Sequence, residues 1–266
     1  MANKVYDNFY LSNEIEDRYN SHLDLQTFCT VDNTLAGTAG MVRKINVYKA
    51  TNGTEKLTMG NGNTKSIEVD YSPEEYTILM AQNRFKYYDE QEMTDPMVVP
   101  VGVRHMGTDL FNTVNADIFA EFNKATQTVA ASKLDFGAFA DAVAALNIEA
   151  TDNDPAQIAP KCFAFVCPAD MASLRKNLSE DLRYVEAFAR GGYVGTVAGV
   201  NLFTKKDAVK GTIVVATPEA VTLFNKKGTE VEQDRDADIR ENTIWARKYY
   251  LAALTDATKA VKITIA

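Results

Sequence analysis

The stretch from residue 41 to residue 80 constrains this chain more than any other. MVRKINVYK, residues 41–49, reads as a strand. Ile67-Glu68-Val69-Asp70-Tyr71 alternates strictly between apolar and polar side chains, the period-two signal of a half-buried strand. Between them, TNGTEKLTMGNGNTK at 51–65 carries Asn52-Gly53 and Gly60-Asn61-Gly62-Asn63. Asn-Gly tolerates positive φ and is a strong hairpin signal. The spacing predicts one long two-stranded hairpin. Such a hairpin is marginal alone in water, so it has to lie on something else.

The remaining chain is a mixture of helices and strands. Residues 1–35 form a polar, irregular arm with scattered aromatics, Tyr6, Phe9, Tyr10, Tyr19 and Phe28, that need another surface to bury against, either in this subunit or in a neighbour. Residues 81–95 lead to a helix over about 96–124, with Thr94 and Asp95 as cap types and Pro96 at its first position. Leu110, Phe111, Val114, Ile118, Phe119 and Phe122 fall on helical spacing, whereas Pro100, Gly102 and Gly107 loosen the early turns and mark a bend point. Further helices are predicted over 135–147, 169–178 and 181–190, the last closed by Gly191-Gly192. KCFAFVCP reads as a buried strand, VGTVAGVNLFT, KGTIVVAT, ENTIWARKYYLAAL and AVKITIA as strands, and Pro218 as a helix or turn start. The fold class expected is α+β.

Composition excludes more than it assigns. With 266 residues and 46% hydrophobic side chains the chain can bury a core, as one large domain or two intimate ones. A formal net charge of -8 removes the global attraction to phosphate backbones that nucleic-acid binders use. No apolar leader or membrane-length run occurs. The three cysteines contain no CxxC pair, which sets the expectation of buried thiols in a reducing compartment.

Candidate chemistry is sparse. His22 and His105 are isolated, and a catalytic base or zinc ligand needs partners. Asp234, Asp236 and Asp238 imitate the start of a calcium loop, but Ile239 and Trp245 stand where Gly and an acidic ligand are required. With Glu230 and Glu232 they read instead as an acidic edge that meets Lys or Arg of a neighbouring subunit. Gly191-Gly192-Tyr193-Val194-Gly195 lacks the Lys-Ser/Thr of a phosphate loop and reads as a turn. Phe85, Tyr87 and Tyr88 beside Arg84 and Lys86 fit a half-buried strand better than a base-stacking groove. No catalytic residue, cofactor or metal is expected.

Four runs carry a family resemblance: YDNFYLSNEIEDRYNSHLDLQTFCTVDNTLAGTAG, GNTKSIEVDYSPEEYTILMAQNRFKYYDEQEMTDPMVV, GGYVGTVAGVNLF and GTEVEQDRDADIRENTIWARKYYLAALTDATKAVKI. They resemble major capsid proteins of tailed phages and prophages of Gram-positive gut bacteria. The resemblance implies the fold shared with encapsulin shells. Its parts map to an N-terminal arm at 1–35, an extended E-loop hairpin at 36–80, and a peripheral domain from 81–132 and 221–266 with a spine helix near 96–124. An axial domain at 133–220 completes it. It implies a structural protein rather than an enzyme, self-assembling as hexamers and pentamers into an icosahedral shell around double-stranded DNA, without sequence-specific binding.

The expected location is the virion capsid, assembled in the host cytoplasm. Expected partners are further copies of the chain, a portal and a decoration or cement protein. The short arm opening with Met1 adds the expectation of a separate scaffold protein. Assembly contacts are expected at Tyr6, Phe9, Tyr10, Lys44, Lys56, Lys65, Glu68, Asp70, Asp234, Asp236 and Asp238. No lysine cross-linking motif can be matched; Lys44, Lys56 and Lys65 read as solubilising or ion-pairing residues. The runner-up reading is an encapsulin-type compartment. A soluble enzyme is the rival of a different class, and it would need a cleft of convergent ionisable groups.

Overall fold

The computed structural model describes residues 25–37, 40–50, 53–146, 162–179 and 195–265. Tyr6, Phe9, Tyr10, His22, the helix predicted at 181–190 and Gly191-Gly192 lie outside the described residues.

Two sheets share one long helix. The first has the order β1 (Thr30–Asp32), β10 (Val221–Asp236), β11 (Glu241–Leu254), β4 (Leu79–Tyr88). Helix α2 (Val98–Phe122) crosses it, burying Val99, Val103, Met106, Leu110, Val114, Ile118 and Phe122 at helical spacing. A helix of 25 residues is about 37 Å long. Its N-terminal half packs on Tyr87, Val231, Ile244 and Ala246. Its C-terminal half packs on Val221, Leu223, Tyr250 and Ala252.

The start of α2 differs from expectation. The helix begins at Val98, and Asp95 accepts a hydrogen bond from the Met97 N–H at 2.9 Å just before it. A short helix, α1 (Asp89–Thr94), fills the region read only as a lead-in. Pro100 falls in the first turn, where its missing N–H would have had no intrahelical partner. Gly102 and Gly107 are both buried in an uninterrupted helix. A Cβ on Gly102 would lie 2.6 Å from the Phe85 ring, so close approach of helix to sheet accounts for this glycine without invoking a bend.

The second sheet has the order β5 (Gln127–Ala131), β12 (Ala260–Ile265), β9 (Thr212–Ala216), β6 (Cys162–Val166), β8 (Val200–Thr204), β7 (Thr196–Val197). All five residues of β6 are buried because the strand is covered on both faces. Phe163 and Phe165 point to the α2 side, joining Phe119 and Phe122. Cys162, Ala164 and Val166 pack with Phe139 of α3 (Phe136–Ala145) and Leu174 of α4 (Pro168–Asn177). Asp135 caps α3 by accepting from the Ala138 N–H at 3.1 Å. Buried Asp170 accepts the N–H of Gly211 at 2.7 Å, fixing the turn into β9.

Strands β5 and β12 lie in the six-stranded sheet, so the division at 132/133 and the assignment of all of 221–266 to one domain do not follow the sheets. The described end of the arm finds its surface within this chain: Leu25 and Cys29 are buried, and Phe28 packs on Phe163, Phe165 and Phe203 at 4.6–5.5 Å between ring centres. Of the two starts expected at Pro218, the structure has the turn, which leads directly into β10.

The hairpin is present as β2 (Val42–Ala50) and β3 (Val69–Thr77), paired antiparallel from Val42↔Thr77 to Ala50↔Val69. Residues 53–68 between them form no regular structure.

Candidate assembly interface

The hairpin has a rooted base and a projecting tip. At the base, the Ile78 N–H donates to the Met41 carbonyl at 2.7 Å, and Ile78 is buried. Tyr76 stacks on Phe224 of β10, ring centres 5.8 Å apart. Its hydroxyl donates to Glu74 at 2.5 Å. Burial, reinforced by that carboxylate, pushes the Tyr76 phenol up to about 12. Arg43 reaches Asp32 of β1 at 4.0 Å, and the Thr34 hydrogen bonds to Asp32 hold its carboxyl below the usual range. Lys44 pairs with its cross-strand neighbour Glu75 at 2.6 Å.

The tip has no core. Side-chain hydrogen bonds shape it instead: Glu55 accepts from the Thr64 N–H and hydroxyl at 3.1 and 3.0 Å, Asn63 donates to the Gly53 carbonyl at 3.2 Å, and Asn61 donates to the Thr58 hydroxyl. Gly60 sits at φ +93°, the turn conformation that its neighbours' sequence predicted. Next to it Met59 is fully exposed, and Leu57, Ile67 and Val69 are also exposed. Ile67 is 63% and Val69 56% exposed, so the strand read as half-buried buries neither residue on its own chain. Lys56, Lys65, Glu68 and Asp70 are exposed along the same segment.

The second surface is the face of the four-stranded sheet opposite α2. Side chains alternate across a strand, so the register defines that face. It carries Tyr249, Arg247, Trp245 and Thr243 of β11. Beside them stand Gln82, Arg84 and Lys86 of β4, and on the other flank Glu230, Glu232, Asp234 and Asp236 of β10. One flank is therefore acidic and the other basic. Arg84 lies over the Trp245 ring at 5.4 Å, and Arg247 pairs with Glu232. Phe224 lies on the same face at its near end, where Tyr76 covers it. Two register shifts in β10, between Asn225 and Glu230, separate the near half from the far half. At the shift, Lys226 donates to the Leu35 carbonyl at 3.1 Å.

The far end of this sheet is pinned by charge. Asp89 accepts from Arg235 at 2.9 Å and Asn242 at 2.6 Å, and these bonds hold its carboxyl below the usual range. Arg240 pairs with Glu90 at 2.9 Å and Lys86 with Glu241 at 2.5 Å. Asp234 and Asp236 are thus strand residues beside this network, and Asp238 lies in the turn. Among the described residues no group of three or more His, Cys, Asp or Glu is placed to hold a metal ion. His105 is exposed on α2 beside Asp109, away from these surfaces. Cys162 is buried, and burial pushes its thiol up. The sequence reading missed Tyr76 and Arg43 as the anchors of the hairpin; Phe224, on which Tyr76 stacks, lies far along the chain, and Asp32, which Arg43 reaches, sits in a segment read as irregular.

No family model matches the chain. It is 28% identical to the major capsid protein of Staphylococcus phage phiMR11 over 167 residues, 61% of this chain. The match spans 58% of that relative's length. The structure superposes on the capsid of cyanophage P-SCSP1u with a TM-score of 0.69 at 13% identity, covering 90% of this chain and 86% of that one. This is the fold of the tailed-phage major capsid proteins. The capsid fold extends to a virus-like particle from Pyrococcus furiosus, at a TM-score of 0.63 and 14% identity, covering 97% of this chain and 100% of that one. The hairpin and the long helix expected from the resemblance are thus both present in a chain with the capsid fold. No helix among the described residues is long and apolar enough to cross a membrane.

Proposed function

We propose that the chain is the shell subunit of a tailed-phage capsid, assembling as hexamers and pentamers into an icosahedral particle around double-stranded DNA. The observation that carries this reading is the sequence match to a phage major capsid protein, in a chain whose fold is that of phage capsids. The hairpin adds a physical reason. A ribbon with an apolar, uncovered tip gains stability by lying on an adjacent subunit. In these terms 42–77 is the E-loop and α2 the spine helix. Bulk acidity suits a container that does not stick to the polyanion it holds.

The reading carries with it a portal, a separate scaffold protein, a decoration or cement protein, assembly in the host cytoplasm and no catalytic role. An encapsulin-type compartment shares the same shell physics, and the curated capsid match favours the phage reading over it. The test is expression with and without the scaffold, followed by negative-stain microscopy. Closed shells are expected. A compact monomer under every condition would overturn the proposal.

A further inference from the structure

The chain has two Asn-Gly pairs, Asn52-Gly53 and Asn61-Gly62, and both fall between the strands of the hairpin. Asparagine amides are chemically labile, most of all before glycine. With no Cβ to shield it, the glycine nitrogen can reach the preceding side-chain amide. Asn61 and Gly62 are both exposed, and a Cβ built on Gly62 would meet nothing within 4 Å. Among the described residues no hydrogen bond engages the Gly62 N–H. The Asn61 amide makes one side-chain bond, to the Thr58 hydroxyl at 2.9 Å.

The neighbouring positions are held. The Thr64 N–H, the nitrogen that would attack Asn63, already donates to Glu55 at 3.1 Å, and the branched Thr64 side chain crowds it. The Asn63 amide is bonded at both ends, donating to the Gly53 carbonyl at 3.2 Å and accepting from the Lys65 N–H at 2.9 Å. Asn52 lies outside the described residues. Its glycine, Gly53, is buried, and a Cβ there would lie 2.5 Å from the Ile67 nitrogen.

We propose that Asn61 is a spontaneous modification site, which converts to aspartate and isoaspartate through a cyclic imide with Gly62. Hydroxide takes the Gly62 amide proton, and the freed nitrogen attacks Asn61 Cγ. The Cγ–Nδ2 bond breaks, and the leaving nitrogen departs as ammonia with a proton returned from water. One water then opens the imide at either carbonyl. The net change is one amide and one water to one carboxyl and one ammonia, with nothing oxidised or reduced. Because hydroxide starts it, conversion quickens as pH rises.

Conversion changes both the charge and the shape of the tip. Glu55 and Glu68 now balance Lys56 and Lys65, and a carboxylate at position 61 makes the stretch acidic. The opening that gives aspartate keeps Thr58 as a partner, its hydroxyl now donating. The opening that gives isoaspartate adds a methylene to the backbone beside Gly60, in the turn that the Asn61 N–H closes on the Thr58 carbonyl at 3.1 Å. The reaction belongs to the free chain, whose tip is uncovered, and holds whether or not the chain builds shells.

The test is incubation of the purified full chain in mildly alkaline buffer made with heavy-oxygen water, until a synthetic peptide of residues 58–65 in the same buffer has converted. Peptide mass mapping then reads ammonia loss and solvent-oxygen uptake, and enzymatic methylation reads isoaspartate. Conversion is expected at Asn61, with isoaspartate in excess, while Asn63 stays intact. Gly62→Ala fits the open space there and meets no left-handed φ, so its melting temperature is expected to match the parent's while most of the conversion is lost. Three results would each overturn the proposal: an intact Asn61 in the folded chain, Asn63 converting as fast as Asn61, or Gly62→Ala converting like the parent.

Discussion

The Phe85 ring fills the space that a side chain at position 102 would need: a Cβ there would meet its atoms at 2.6–2.8 Å. Gly102→Ala therefore overpacks a buried helix–sheet contact, at about 1–3 kcal/mol. Better helix propensity returns up to about 1 kcal/mol. A net fall in melting temperature is expected, and combining it with Phe85→Leu should recover part of it. Calorimetry on the three variants checks this. A stabilised Gly102→Ala would mean that the helix stands further from the sheet.

Tyr76 anchors the hairpin through its ring more than through its hydroxyl. Aromatic pairs contribute about 0.5–1.5 kcal/mol beyond buried area. Tyr76→Ala should speed amide exchange throughout 42–50 and 69–77 while leaving α2 protected. Tyr76→Phe, which loses only the exposed bond to Glu74, should change exchange little. Equal effects of both variants would place the anchor in the hydroxyl.

Two tyrosines set an alkaline limit. Burial and the Asp117 carboxylate, which accepts from the Tyr250 hydroxyl at 2.6 Å, push the Tyr250 phenol well above its usual range, and Tyr76 is raised to about 12. Each is neutral in the folded chain beyond the ordinary value of 10.0. Their contribution is complete below pH 10.0 and is lost as pH rises from there through the folded values. Denaturant titrations should show stability falling above pH 10. Tyr250→Phe should flatten that fall. Tyrosinate absorbance appearing in the folded chain with ordinary titration for both residues would contradict it.

The Asp89 network sets an acid limit with the opposite sign. Its carboxyl is held down by Arg235, Asn242 and Arg240, so its contribution is present above the ordinary value of 3.8 and is lost as pH falls below it. Amide exchange across 234–243 should accelerate selectively in that acid range. Asp89→Asn should show the faster exchange already at neutral pH. No difference between variant and parent at pH 7 would show that the β10–β11 end is held by backbone pairing alone.

Much of this fold was legible because its signals are local. CFAFV at 162–166 is a continuous apolar run between prolines, and only a strand buried on both faces uses one so short. Asp135 stands before an amphipathic run and caps it. QTVAA at 127–131 was not read as a strand, since only Thr128 and Val129 of the five are strand formers and its pairing with β12 comes from 134 residues away. The alternation at 67–71 signalled a strand whose observed start is Val69, and Ile67 and Val69 are exposed on the chain's own surface. Periodicity defines a face, and it does not say which chain covers that face. Gly102 has a second role that no local signal could carry: its closeness to Phe85 of β4 appears only when helix and sheet are packed together.

In the proposed shell, the separation of the hairpin's root from its tip bears on how many copies can meet. A contact between unlike patches on identical chains specifies a turning angle, and the number of chains in the ring is simply how often that angle divides a circle. Rings of six and of five differ by only about 12° per step. A ribbon fixed at Tyr76 and shaped at its apex by hydrogen bonds alone can take up that difference along its length without repacking either core. One sequence can then tile both flat and curved regions, the geometric condition for closing a surface.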